Sequence, residues 1–272
     1  TKNGEYYVNF HWLNAERGMP PNISSEQIFT TRPQFTTLSR WGKYNDLGFD
    51  LSGRQKLNEK LTLMGKLFYH DHQDDYISYS DPQYNNPVAL STYQDYFLGG
   101  NLGADYEFTK GHNLAAAFHY KGDSHKERDD AYLPYAENFS YTGSLGGEYR
   151  YTGLPGLLVS AGASYDWFLV DKAQTNNTDK NGNLTSQFDL DTPGVMSEFD
   201  PMVGASYTFA DTTRIFGSVA RKTRFPTLTE LYSSKGGNRD LQAERSINYT
   251  LGVARRFGQD VTLQLAGFYM DV

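Results

Sequence analysis

The chain of 272 residues has no cysteine, a formal net charge of −7 at pH 7, and 15% aromatic residues. The lack of cysteine excludes a disulfide framework and a thiolate metal site, and the acidic balance argues against a nucleic-acid partner. No run of about 18 apolar residues occurs, so no transmembrane helix is expected. The mean hydropathy of −0.63 still fits a membrane β-barrel, whose apolar residues occupy only alternate positions.

About eleven strand-like segments follow one another along the chain, and the links between them alternate between long and short. The long links cover residues 15–36, 71–91, 122–137, 171–198 and 222–245. The short links cover residues 57–60, 109–112, 152–156, 210–213 and 258–260. Long loops at one end of a meander and tight turns at the other are typical of outer-membrane barrels. The sequence therefore predicts an all-β fold, an antiparallel up-and-down transmembrane β-barrel.

Apolar and polar residues alternate within these segments, which run for about 10–15 residues, long enough for a tilted strand to cross a bilayer. On the apolar face, aromatic residues lie at the strand ends and small or aliphatic residues lie between them. Two aromatic girdles around an aliphatic band are expected of a membrane barrel. We therefore expect Leu145, Val203 and Leu251 to face lipid and the polar faces to line the interior. A soluble β-sandwich with a tyrosine-rich surface is the alternative.

The number and placement of the strands indicate an incomplete barrel. Bacterial single-chain barrels have even numbers of strands, whereas about eleven are predicted here. The chain also begins without a starting methionine and stops inside a strand-like segment. We expect residues 1–272 to be one portion of a larger barrel, with the strands near residues 6–13 and 261–272 at open edges.

The most specific local sequence lies near the C-terminal end. Residues 218–232 read Ser-Val-Ala-Arg-Lys-Thr-Arg-Phe-Pro-Thr-Leu-Thr-Glu-Leu-Tyr, and residues 237–244 read Gly-Asn-Arg-Asp-Leu-Gln-Ala-Glu. Asn-Tyr-Thr-Leu-Gly at 248–252 and Phe-Tyr-Met-Asp at 268–271 follow. This order of elements resembles the barrel of a TonB-dependent outer-membrane receptor, most clearly over residues 214–272. Arg239 departs from the proline of the family pattern, and Gln242-Ala243 depart from its Lys-Pro.

The resemblance implies a barrel of 22 strands with a plugged lumen, located in the bacterial outer membrane. It implies a receptor that takes up a scarce ligand of the siderophore, metal-chelate, haem or cobalamin class with TonB-coupled energy. Its partners would be outer-membrane lipid and lipopolysaccharide, the small-molecule ligand, and the TonB complex through a plug that this sequence does not show. The resemblance implies no enzymatic activity and no cofactor. A passive porin-type channel and an outer-membrane hydrolase remain as alternatives.

One candidate ligand site lies where a predicted strand enters a long loop. His70, His72 and Asp74 occur there, and the two histidines project from the same face of a strand. Imidazole together with carboxylate suits a divalent metal ion, and the same residues would serve the hydrolase alternative. The competing interpretation is a solvated loop entrance.

Other candidates lie in the predicted loops. Asp179, Asn181 and Asn183 resemble the first half of a calcium loop, but position twelve is Phe188 where a bidentate glutamate is required. An Asn-Gly turn of a hairpin is the alternative for that segment. Further ligand contacts are expected from exposed loop positions: Tyr79, Tyr132, Arg221, Arg224 and Tyr232. The last three belong to the motif, which would alternatively shape a loop, because Pro226 cannot donate to a β-ladder.

Overall fold

The computed structural model describes residues 3–19, 38–81, 83–210, 212–232, 237–258 and 261–272. Twelve β-strands and one short helix are formed within these ranges. In chain order they are β1 Gly4–Met19, β2 Leu38–Lys56, β3 Leu61–Tyr79, β4 Pro87–Thr109, β5 His112–Arg128, β6 Ala136–Tyr151, β7 Leu157–Thr178, β8 Leu184–Asp189, β9 Met196–Thr208, β10 Thr213–Arg224, α1 Leu228–Tyr232, β11 Glu244–Phe257 and β12 Val261–Asp271. No helix in the described ranges has the length and apolar character needed to cross a membrane.

Eleven of the strands form one antiparallel meander in the order β1 to β7 and then β9 to β12, while β8 pairs only with β7. Each strand of the meander is hydrogen-bonded to the strands before and after it in that order. The predicted all-β, up-and-down arrangement of about eleven strands is thus confirmed. As expected, β1 and β12 lie at the two edges of an open sheet.

The short links predicted at 57–60, 109–112 and 152–156 are confirmed. Those at 210–213 and 258–260 include residues 211 and 259–260, which lie outside the described residues. Several of the long links are shorter than predicted. β3 continues to Tyr79 and β4 begins at Pro87, so most of the predicted loop 71–91 is strand. The predicted loop 122–137 is shortened in the same way, and 171–198 contains the β7–β8 hairpin. The reason is that hydrophobic alternation ends where both faces become polar, whereas the backbone ladder continues. Of the predicted first loop, residues 20–36 lie outside the described residues.

Leu145, Val203 and Leu251, expected to face lipid, lie on one exposed apolar face of the sheet. Their exposed fractions are 57%, 52% and 68%. The short turns lie at one end of the sheet, here called the turn end, and the longer connections lie at the other, here called the loop end. The opposite face of the same strands carries the polar residues and is called the polar face.

A small buried core lies at the loop end of β7. It contains Phe168, Val170, Ala173 and Leu231. Phe168 and Val170 alternate along β7 with the residues of the apolar face, so they belong to the polar face. Leu231 of α1 is only 1% exposed, which means that the loop after β10 folds back over the polar face.

Candidate binding site

The predicted histidine pair lies on the polar face inside β3 rather than at its end, which corrects the expected boundary. His70 is paired with Gly48 on β2 and Phe97 on β4. His72 is paired with Asp46 on β2 and Asp95 on β4. Both histidines therefore face the same side, as predicted. They lie just beyond the aromatic position Tyr69 of the apolar face, toward the loop end.

A hydrogen-bonded cluster joins these histidines to β1 and β2. His11 Nε2 lies 2.5 Å from Asp46 Oδ1, and His72 Nδ1 lies 3.2 Å from Asp46 Oδ2. The other ring nitrogen of His72 lies 3.1 Å from Asp74 Oδ2. Asp46 therefore connects two imidazoles from two different strands, and His72 extends the chain of contacts to Asp74.

Asp74 is the most deeply buried carboxyl of this cluster, at 7% exposure. Its Oδ1 atom is buried and has no hydrogen-bond partner among the described residues. Burial raises the pKa of Asp74, and the hydrogen bond with His72 acts in the opposite direction. Burial therefore disfavours the charged form of the Asp74 carboxyl.

A second histidine cluster lies beside the first, on β4 and β5. His125 Nδ1 is 2.6 Å from Asp95 Oδ1 and its Nε2 is 3.5 Å from Glu127 Oε2. Burial lowers the pKa of His125, but the hydrogen bonds to Asp95 and Glu127 raise it to about 9. The imidazole is therefore cationic at neutral pH. Ionisable side chains thus lie next to one another across the polar face, on every strand from β1 to β5.

The two tyrosines predicted from loops have different environments. Tyr79 is the last residue of β3 and is only 6% exposed. Its ring packs 5.1 Å from that of Tyr84, and the Arg40 guanidinium lies 5.6 Å from its centroid. Tyr132 is 61% exposed, and its hydroxyl donates to the Gly182 carbonyl at 3.2 Å. Of the two, Tyr132 is the one that a dissolved ligand could reach.

Arg221 fills a gap between two strands. The β9–β10 ladder ends at Met202 and Ala220. Beyond that point, Arg221 donates to the backbone carbonyl of Phe199 and, at 2.6 Å, to Glu198 Oε2. Arg245 also donates to Glu198, through Nε at 3.0 Å. The Arg221 guanidinium thus joins β10 to β9 beyond the end of the backbone ladder.

Arg224 closes the base of the loop between β10 and β11. It donates to both carboxylate oxygens of Glu230 at 3.0 Å, and to both of Glu244 at 2.7 and 2.8 Å. Arg224 and the Thr227 amide lower the pKa of Glu230 to about 2. Bidentate guanidinium–carboxylate pairs of this kind fix orientation as well as charge.

The same loop contains a capping box that the sequence analysis missed. The Thr227 amide donates to Glu230 Oε2 at 2.8 Å, and the Glu230 amide donates to Thr227 Oγ1 at 3.2 Å. A threonine followed three residues later by glutamate is the sequence signature of this motif. The pattern was therefore available in the sequence. The loop-shaping role proposed for the motif fits these contacts, as does the end of β10 at Arg224, just before Pro226.

Tyr232 and the calcium-like segment complete the predicted residues. Tyr232 packs against the small core, and its hydroxyl lies 3.5 Å from the Asp191 carbonyl. Asp179 Oδ1 accepts hydrogen bonds from the amides of Asn181 at 2.8 Å and Asn183 at 3.0 Å. Gly182 has a φ of 84°. The segment is thus the tight turn of the β7–β8 hairpin, and the Asp179 carboxylate is occupied by that turn.

The predicted residues are distributed over three places, from the middle of β3 to the loop end of the sheet. His70, His72 and Asp74 lie together on β3. Tyr132 meets the β7–β8 turn. Arg221, Arg224 and Tyr232 support the loop that covers the polar face of β7. His11 and Asp46 were missed because only the strand register brings residues 11, 46 and 70 together.

The chain matches a family model described as "TonB dependent receptor-like, beta-barrel" over residues 1–272. The chain belongs to the TonB-dependent receptor family. This TonB-dependent receptor barrel is therefore an outer-membrane protein, and the family consists of transporters rather than enzymes.

Solved structures of the family have the same fold. BauA, the ferric preacinetobactin receptor from Acinetobacter baumannii, matches with a TM-score of 0.71 and 10% identity, over 99% of this chain and 45% of BauA. Fiu, the ferric-catecholate import receptor of Escherichia coli K12, matches with a TM-score of 0.70 and 10% identity, over 98% of this chain and 49% of Fiu. The copper transporter OprC matches with a TM-score of 0.69 and 16% identity, over 85% of this chain and 39% of OprC. The chain thus spans less than half the length of each of these proteins.

Proposed function

We propose that this TonB-dependent receptor barrel takes up a scarce metal chelate across the outer membrane with energy supplied through TonB. The observation that supports the proposal is the concentration of charged and aromatic side chains on the loop-end half of the polar face. His72, Asp95 and His125 lie there on three adjacent strands, and α1 folds over the same face of β7. Loops held on a rigid scaffold are where binding residues are usually found.

The related structures support this class of ligand. They include a copper transporter, a ferric preacinetobactin receptor and a ferric-catecholate import receptor. We extend this to a chelated transition metal ion for the present receptor, with siderophores, haem and cobalamin in the same class. We propose that the ligand contacts Tyr132, which is exposed, and the loop between β10 and β11, where the Arg224 side chain is half-exposed.

We also propose that residues 1–272 form one portion of a barrel of about 22 strands with a plug in its lumen. The unpaired edges of β1 and β12 would be costly in hydrocarbon, where every backbone group needs a partner. Strands outside this sequence would therefore pair with both edges. The polar face would contact the plug, which would engage the TonB complex, and the apolar face would contact lipid and lipopolysaccharide.

Uptake of a radiolabelled ferric chelate into intact cells tests the proposal, with chelates screened by growth under iron limitation. Deleting the receptor gene should abolish uptake of one chelate. Deleting the inner-membrane coupling complex should also abolish uptake while surface binding of the chelate remains. A passive channel would behave differently, because it would support uptake without that complex and conduct ions constitutively in planar bilayers.

A further inference from the structure

Two imidazoles from separate strands converge over one glycine on the polar face. The strand register places His11 of β1 and His70 of β3 on either side of Gly48 of β2. The two ring centroids are 5.1 Å apart. A Cβ atom on residue 48 would overlap the ring of His11. The missing side chain at Gly48 is therefore what allows His11 to lean over β2 toward His70.

A carboxylate completes the group from the same strand as the glycine. Asp46 lies two residues from Gly48, on the same face, and its Oδ1 atom is 2.5 Å from His11 Nε2. One nitrogen of His11, one of His70 and one oxygen of Asp46 lie within 4.8 Å of one another. All three side chains are partly buried.

The neighbouring residues restrict how these three side chains can move. The His70 ring is stacked on Phe97, with centroids 4.5 Å apart and planes inclined by 14°. Asp46 receives its second contact from His72, at 3.2 Å, and His72 is held in turn by the buried Asp74. Partners that orient the ligands in this way raise the affinity of metal sites.

We propose that His11, Asp46 and His70 bind a divalent first-row transition metal ion, with His72 as a positioning residue. Two imidazoles and one carboxylate are ligands that suit zinc, cobalt, nickel or iron(II). Ligand atoms 2.0–2.2 Å from one ion lie about 3–4 Å from each other. Side-chain rotation would bring the ligand atoms, now within 4.8 Å of one another, to this geometry, with the ion in place of the His11–Asp46 hydrogen bond. The ion would join β1, β2 and β3 near the middle of these strands, on the polar face.

Zinc binding to the complete receptor, purified in detergent, tests the site by isothermal titration calorimetry. The expected result is one tight site per receptor, with an affinity at least tenfold lower in His11→Asn, Asp46→Asn and His70→Asn. The His72→Asn variant should lose about tenfold through misorientation of Asp46. Magnesium in excess should not compete, because it prefers all-oxygen ligands. These measurements involve neither chelate uptake nor TonB, so they stand apart from the proposed function.

Gly48→Ala is the most discriminating variant, because it keeps every ligand and removes only the space that His11 occupies. It should weaken zinc binding at least tenfold. His119→Asn is the matched control, since His119 lies on the same polar face but contacts Asn101. Circular dichroism verifies folding of each variant, and zinc should raise the melting temperature of the parent protein but not of the Gly48→Ala protein. Unchanged affinity in the His11, His70 and Gly48 variants, or an equal loss in His119→Asn, would overturn the proposal.

Discussion

Arg224 and Glu230 form a bidentate ion pair that also fixes the first turn of α1, because the same carboxylate accepts the Thr227 amide. One side chain thus connects the end of β10 to the helix that covers the polar face of β7. Leu231, the next residue, is buried against Phe168 and Val170 of β7. Residues 223–230, Thr-Arg-Phe-Pro-Thr-Leu-Thr-Glu, therefore form one connected structural element.

Glu230→Gln should loosen the loop between β10 and β11. The variant loses the charge that attracts Arg224, so the Leu231 amide should exchange hydrogen faster and the loop should be cleaved sooner by protease. Glu244→Gln is the control, because it removes the other carboxylate on Arg224 and leaves the cap intact.

The pKa of Glu230, lowered to about 2, adds a pH dependence to the stability of this loop. Its contribution to stability is present above about pH 4.5 and is lost as the pH falls through about 2. Equal rates of Leu231 amide exchange and of loop cleavage in the Glu230→Gln and Glu244→Gln variants would contradict the role of Glu230 in holding the loop.

Arginine on the apolar face should be strongly destabilising. Leu145→Arg, Val203→Arg and Leu251→Arg should each lower the free energy of unfolding by about 2–4 kcal/mol if these positions lie near the bilayer midplane. Ser144→Arg, one residue from Leu145 and on the polar face, should cost less. Equilibrium unfolding from lipid vesicles in guanidinium measures all four. A larger loss for Ser144→Arg than for Leu145→Arg would reverse the assignment of the faces.

Two glycines on the apolar face of β6 should respond differently to alanine. At Gly143 a Cβ atom would overlap the Trp167 indole, whereas at Gly147 the nearest atom is the Ala115 carbonyl oxygen at 3.9 Å. Gly143→Ala should cost about 1–3 kcal/mol through overpacking and should shift the tryptophan fluorescence. Gly147→Ala should change stability by less than about 0.5 kcal/mol. If both variants keep the parent stability, the indole can move aside without cost.

His125 should remain protonated well above the usual range for histidine. Its pKa is raised to about 9 from an ordinary value of 6.5, which means that protonation favours the folded state. The stability it contributes should be complete below about pH 6.5 and should be lost as the pH rises through 9. Nuclear magnetic resonance of histidine labelled with carbon-13 measures the pKa, with His125→Gln used to assign the signal. Asp95→Asn should move the pKa back toward 6.5, and titration of His125 below 6.5 in the parent protein would refute the expectation.

The loop end should face the cell exterior, as the usual asymmetry of loops in outer-membrane barrels implies. The sequence has no cysteine, so Asn85→Cys and Asn181→Cys each provide a single labelling site on a loop. A membrane-impermeant maleimide should label both on intact cells. A cysteine at Lys110, in the turn between β4 and β5, should react only after the outer membrane is breached. The opposite pattern would invert the orientation.

The sequence by itself determined the antiparallel meander of eleven strands, its two faces and the tight turns at 57–60, 109–112 and 152–156, whereas β8 lies inside a predicted loop. Each of these depends on local alternation or on turn residues, which are properties of neighbouring positions in the chain. The family motif at 218–244 could also be recognised from the sequence alone. Its capping box was missed, although Thr227 and Glu230 have the spacing of that motif. The sequence predicted strands that stop too early on the side of the long loops, because the apolar–polar alternation stops where both faces are polar.

The tertiary structure alone decided which polar residues meet. His11, Asp46 and His70 are 24 to 59 residues apart in the chain, and a shift of one residue in either ladder would move a ligand to the other face. The register of β1, β2 and β3, together with the absence of a side chain at Gly48, brings them together. The fold of the loop after β10 onto β7 was likewise decided by packing, because burial of Leu231 depends on Phe168 and Val170, which lie about 60 residues earlier in the chain.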